Sequence, residues 1–189
     1  MKELITAGVD EVGRGCLAGP VVSAAVIFKK NIDLSLLKDS KKISFNKRAR
    51  ISEHIKNNSY YSIGIASVNE ILNLNILQAS LLSMKRAIDK LIVKPGLTLI
   101  DGNFVPKGLK NCKAIINGDE KIKVISAASI IAKVYRDNLM IKLSKKFSNY
   151  AWDRNFGYGT KAHLDGLRKF GVTAHHRKGF KPVHKILSS

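Results

Sequence analysis

The chain has 189 residues, 33 of them Lys or Arg against 14 Asp or Glu, for a formal charge of +19 and a pI near 10.1. That length suits one domain with a full core and is short for two, and 45% hydrophobic residues mark a globular protein. A field of this sign draws polyanions, nucleic acid first and an anionic membrane surface second. The apolar runs are too short to span a bilayer, which disfavours the membrane. The first residues, with Glu3 early, do not resemble a secretory signal. Cys16 and Cys112 stand alone without CxxC spacing, which points to a reducing cytoplasm.

Two apolar runs, residues 4–7 and 21–28, flank Gly8-Val9-Asp10-Glu11-Val12-Gly13-Arg14-Gly15, where a hairpin of two buried strands is expected to turn. Side chains alternate along a strand, so Asp10 and Glu11 cannot both enter one site from a regular strand. Either one faces solvent or the backbone bends. Gly13 and Gly15 supply such a bend and let another molecule approach the main chain. Arg14 adds a planar cation suited to phosphate. A tight turn with exposed charges accounts for these residues as well as a metal or phosphate site does.

Residues 21–28 are apolar on both phases, as in a strand covered on both faces. In the polar loop that follows, Asp39-Ser40-Lys41-Lys42 precedes Ser44, an N-cap for a helix running through residues 50–56. Lys41 and Lys42 suit either a solvated face or phosphate contacts. Residues 60–68 alternate as a strand, and residues 69–91 carry the apolar spacing of one long core-covering helix ending before Pro95-Gly96.

The short strand 97–100 ends in Asp101-Gly102-Asn103, a position where open α/β sheets place functional groups. A turn-capping Asp explains it too. Strand 113–116 then ends in Asn117-Gly118-Asp119-Glu120, so three strand-like runs finish at Asp10, Asp101 and Asp119. Carboxylates converging from separate strands are how a multi-carboxylate metal site is assembled.

A helix from residue 124 towards 147 opens with small residues that permit close approach to the sheet, and Ser126 and Ser129 either bond backbone or line a site. Lys133 and Asp137 lie one turn apart, as in a surface ion pair. Beyond it, Trp152, Phe156, Gly157, Tyr158 and Gly159 form an aromatic, glycine-rich loop before a helix over residues 161–170. Next come His175-His176-Arg177-Lys178 and Lys181-Pro182. Rings interleaved with basic residues suit stacking and phosphate neutralisation, although each ring alone also fits a core. Adjacent His175 and His176 lack the spacing for one metal.

Together these pieces resemble the ribonuclease HII family, the bacterial type 2 ribonucleases H. The resemblance is carried by residues 8–15 with Gly19-Pro20, then Asp39-Ser40-Lys41-Lys42, Asp101-Gly102-Asn103, Gly118-Asp119, residues 125–137, Gly157-Tyr158 with His163-Leu164, and His175-His176-Arg177. Two positions depart from it: Asn117 where a basic residue is expected, and Gly159 where a proline commonly follows the tyrosine.

The resemblance implies an α/β, ribonuclease H-like fold with a central mixed β-sheet flanked by helices. It implies one catalytic domain over residues 1–189, with residues 150–189 a C-terminal helical segment closing on substrate. The implied activity is endonucleolytic cleavage of RNA in RNA/DNA hybrids and incision at ribonucleotides embedded in duplex DNA. Asp10, Glu11, Asp101 and Asp119 are the implied catalytic ligands of Mg²⁺ or Mn²⁺, two ions during catalysis, with Asp137 in support. Gly13, Arg14 and Gly15 match the segment contacting sugar and phosphate at the RNA to DNA junction, and Tyr158 the ring against the junction deoxyribose. No long amphipathic seam demands a dimer, so a monomer is expected. Two other readings compete: a non-catalytic basic nucleic-acid-binding protein, and a two-metal phosphatase acting on a small substrate.

Overall fold

A computed structural model describes residues 4–29, 32–33 and 44–188. Lys41 and Lys42, with Asp39 and Ser40, lie outside the described residues. The expected hairpin forms from β1 (Thr6–Val12) and β2 (Val21–Phe28), antiparallel from Gly8 opposite Val26 to Val12 opposite Val22. β3 (Ser59–Ala66) pairs antiparallel with β2. On the other side of β1, β4 (Leu97–Asp101) runs parallel to it, and β5 (Cys112–Ile115) runs parallel to β4. The order β3-β2-β1-β4-β5 makes a mixed sheet with β1 at its centre.

Strand alternation sends side chains to two helical layers. Ala24 and Val26 pack with Ile51 and Ile55 of α1 (Phe45–Asn57) and with Val124, Ala127, Ala128 and Ile131 of α5 (Lys123–Ser144). Ala7, Val9, Ala25, Ile27 and Ile100 point the other way, onto Met84, Ala87 and Ile88 of α3 (Ile76–Asp89). Ser44 caps α1 by accepting the Lys47 N–H. At Gly8, any Cβ would lie 2.3 Å from the Val124 carbonyl carbon, so the missing side chain lets α5 settle directly on β1.

The single helix expected over residues 69–91 is two, α2 (Val68–Leu74) and α3, broken at Asn75. Asn75 has φ 69° and caps α3 by accepting the Gln78 N–H at 3.1 Å. With ψ 167° this is a conformation that L residues rarely adopt, and the cap helps to hold it. Both helices bury apolar residues against the same body, so the apolar period runs through the break unmarked.

After β5 come α4 (Gly118–Lys121) and α5, then α6 (Trp152–Asn155), α7 (Lys161–Phe170) and α8 (Lys181–Leu187). A third core of Leu17, Ala18, Met140, Tyr150, Trp152, Leu167 and Val183 ties these C-terminal helices to the turn after β1. Main-chain bonds stitch the same seam: Leu17 N–H to Gly157 O at 2.8 Å, Gly19 N–H to His175 O at 2.9 Å and Arg177 N–H to Leu17 O at 2.8 Å. Trp152 is therefore a core residue stacked on Tyr150 at 5.1 Å, with no face for a nucleobase. No described helix is long and apolar enough to cross a membrane.

Candidate active site

The parallel pairing of β1 and β4 ends at Val9 opposite Ile100, so Asp10 and Asp101 are the next residues on adjacent strands. Val9 and Ile100 pack on the α3 side, which sends Asp10 and Asp101 towards α5. There the Ser129 hydroxyl lies beside the Asp10 carboxylate. Asp10 also accepts the Glu11 N–H on Oδ1 at 2.7 Å, and Arg14 Nη1 reaches Glu11 Oε1 at 3.2 Å.

The bend expected at Gly13 follows closely on the Asp10-Glu11 pair, and the two carboxyls are close enough for the Glu11 charge to raise Asp10. β1 stays regular through Val12, and neither acid is solvent-facing, the Glu11 side chain being 9% exposed. The bend comes after the acids, at Gly13 with φ +94°, while Gly15 does not adopt a positive φ. Burial, then the charges of Glu11 and Asp101, push the Asp10 carboxyl well above its usual range. Burial also raises Glu11, against the opposing pull of Arg14.

Asp119 lies in α4 and not at the end of β5, as its position after strand 113–116 had suggested. It is nonetheless beside Asp101, whose Oδ1 accepts the Gly118 N–H at 2.6 Å and the Asp119 N–H at 3.4 Å. Asn117 sits left-handed at φ 53° just before α4, a conformation that suits Asn better than the expected basic residue.

Among the described residues no three His, Cys, Asp or Glu side chains close into a ready-made metal cage. The donor set still fits a hard divalent cation. It is all oxygen, two of its acids are buried beside neighbouring carboxylate charge, and among the described residues the buried Glu11 Oε2 has no hydrogen-bond partner.

Two second-rank residues are placed differently from expectation. Asp137 is 1% exposed, so its bond from Lys133 at 2.9 Å is a buried ion pair and not a surface one, with Arg48 at 4.0 Å. It stands two turns beyond Ser129, about 12 Å along α5. Lys133 in turn lies over the Phe156 ring at 4.8 Å and 5.9 Å from that of Tyr158. Asp137 thus braces the tyrosine side of the molecule. Ser126 is buried early in α5, and Ser129, one turn later, lies beside Asp10.

Arg14 is exposed, and Gly15 has an open face whose nearest neighbour to an added Cβ is Tyr158 Cε1 at 4.0 Å. Tyr158, 39% exposed, lies beside the buried Cys16 thiol. Its carbonyl is held by His163 Nδ1 at 2.9 Å, and His163 Nε2 meets His176 Nε2 at 3.1 Å. Burial lowers both imidazoles, His176 being pushed down to about 3. The glycine departure at residue 159 leaves this loop closed, with Thr160 N–H on Tyr158 O at 2.8 Å. Sequence reasoning did not single out Cys16 or Arg136 for the site, and gave His163, His176 and Arg177 no role in it.

The sequence pattern described as Ribonuclease HII matches residues 7–184. The chain belongs to the ribonuclease HII family. A ribonuclease HII of Pelagibacter ubique is 58% identical over 185 residues, covering 97% of this chain and 99% of that protein. A ribonuclease HII of Neisseria meningitidis is 48% identical, covering 98% and 96%. The crystal structure of ribonuclease H2 from Pyrococcus horikoshii is similar over 97% of each chain, with TM-score 0.80 and 27% identity. The ribonuclease H-like fold expected from the sequence is therefore present, and membership makes the chain a metal-dependent endoribonuclease of RNA/DNA hybrids. The non-catalytic reading is set aside.

Proposed function

We propose that this ribonuclease HII cuts the RNA strand of hybrids and also incises duplex DNA at embedded ribonucleotides, leaving 3′-hydroxyl and 5′-phosphate ends. Asp10, Glu11, Asp101 and Asp119 would hold two divalent cations, Mg²⁺ or Mn²⁺. The observation that carries this reading is the adjacency of Asp10 and Asp101 beyond the last β1–β4 pair, with Asp10 pushed towards protonation by burial and by neighbouring charges that a cation would offset. A fold relative, Bst-RNase HIII, has a structure in complex with Mn²⁺ (TM-score 0.74, 18% identity).

Bound cations would supply an activated water and neutralise charge at the phosphorus. The chain's own residues do the rest. Ser129 and the Glu11 N–H orient Asp10, and the Gly118 N–H orients Asp101. Gly13, Arg14 and Gly15 meet the sugar and phosphate at the junction, with Tyr158 beside them on the deoxyribose. The contact between Gly15 and the Tyr158 ring supports this as one surface. Lys41 and Lys42, with the general basic excess, add affinity without sequence preference. Residues 150–189 complete the substrate face of a single domain, and the protein works as a cytoplasmic monomer.

The test is a DNA duplex carrying one ribonucleotide, incubated with Mg²⁺ or Mn²⁺ and with a chelator, and the cut mapped. One metal-dependent incision beside the ribonucleotide, with the stated ends, is expected. Cleavage of continuous hybrid without such incision would reject the embedded-ribonucleotide part of the proposal.

A further inference from the structure

Two guanidinium groups lie buried beneath the turn after β1, and among the described residues neither has a direct ion pair: Arg136 is 0% and Arg177 1% exposed. Such a charge is tolerated inside a protein when its donors are all met by well-placed acceptors. Here the acceptors are main-chain carbonyls. Arg136 donates to Ala18, Pro20 and Phe156 at 2.8 to 2.9 Å. Arg177 donates through Nε to Gly19 at 2.9 Å, through Nη1 to Arg14 at 2.8 Å and through Nη2 to Gly13 at 2.6 Å. The rigid fork of Arg177 therefore sets two successive peptide planes in the Gly13-Arg14-Gly15 turn.

In a trans peptide the N–H points opposite to the carbonyl. With the Gly13 and Arg14 carbonyls drawn inward onto Arg177, the N–H groups of Arg14 and Gly15 face away from it, on the exposed side of the turn. Among the described residues neither N–H has an acceptor. Gly13 is necessary to this geometry, because its positive φ places its α-carbon against the side chain of Arg136, whose Nε would lie 2.2 Å from any Cβ.

We infer that Arg177 is a positioning residue for ribose recognition: by fixing the Gly13 and Arg14 carbonyls it aims the Arg14 and Gly15 N–H groups outward as a preset pair of donors for the ribonucleotide's 2′-hydroxyl. This inference rests on the proposed role of residues 13–15 and goes beyond it by naming what holds them. Arg136 supports the far side of the same loop. DNA offers no 2′-hydroxyl to such donors, so the device acts on the preference for RNA and not on affinity for duplexes in general.

The experiment compares wild type, Arg177→Met and Arg177→Lys. Cleavage of a hybrid is measured, and affinity for the hybrid and for the all-DNA duplex of the same sequence is measured in chelator. Each variant's fold is checked by circular dichroism. The expected result is that both variants bind the DNA duplex as wild type does but lose about tenfold in hybrid affinity. Lys fails like Met because a single ammonium cannot hold two carbonyls in plane. An unchanged hybrid preference in a folded variant, or full rescue by Lys, would overturn the inference. Should neither variant fold, amide resonances of the wild type decide. Shifts of Arg14 and Gly15 on hybrid but not on DNA support the inference, and their absence rejects it. Failure of the wild type to cleave hybrid would instead sink the functional reading beneath it.

Discussion

Asp10 and Asp101 stand side by side immediately beyond the rung formed by Val9 and Ile100, on the two central parallel strands. Their adjacency follows from register, since the strands that carry them pair over the four residues before each acid. It also brings unfavourable charge into a buried place, which the fold alone does not relieve.

The first consequence is catalytic. Asp10→Asn and Asp101→Asn each lower hybrid cleavage by more than about 100-fold, since losing a metal ligand exceeds the effect of losing a group that merely orients one. Both variants keep their circular dichroism spectra. Retention of near wild-type turnover by either would remove that carboxylate from the site.

The second is a trade between stability and function. Because burial and neighbouring charge raise Asp10, its folded state holds a proton to higher pH than the unfolded chain does. Its contribution to stability is thus full below the ordinary carboxylate range and is lost as pH rises through the folded value. In chelator, Asp10→Asn should melt several degrees above wild type at pH 8 and near it at pH 4. Added Mg²⁺ should raise the wild-type melting temperature at pH 8 and leave the variant's unmoved. Parallel melting curves across that pH window would contradict the account.

Tyr158 is half-buried against Cys16 and Gly15, with an exposed edge. Tyr158→Ala should reduce incision at a single ribonucleotide by roughly tenfold, the scale of one aromatic stacking contact. Tyr158→Phe should retain most activity, since the ring and not the hydroxyl meets the sugar. Equal rates for Ala and wild type would make the ring packing alone.

Asp137 separates bracing from metal binding. Burial raises the Asp137 carboxyl despite the nearby Lys133 and Arg48 charges, so Asp137→Asn should melt at or above the wild type at pH 8. The Mg²⁺-induced rise should persist in full. Its loss would place Asp137 among the metal ligands.

Parts of this site are legible in a single sequence because their cause is local. An apolar strand running into an acid and then glycine marks Asp101, and the Gly13 turn after Asp10-Glu11 announces a bend. Other parts depend on contacts between distant segments. Ser129 comes to Asp10 because of how α5 settles on Gly8. Arg177 reads as one more basic residue in a basic tail until the fold brings it to Arg14, 163 residues away in sequence. The helix break at Asn75 and the placement of Asp119 in α4 escaped for another reason. Apolar periodicity records which residues are buried and not where the backbone turns.

The most direct test of the metal-site account is the number of Mn²⁺ ions held by the protein on a hybrid. Equilibrium titration under conditions where cleavage is blocked by a non-hydrolysable linkage should give two ions per wild-type chain and fewer in Asp101→Asn. An identical stoichiometry and affinity in Asp101→Asn would contradict the claim that these strand-borne carboxylates hold the ions.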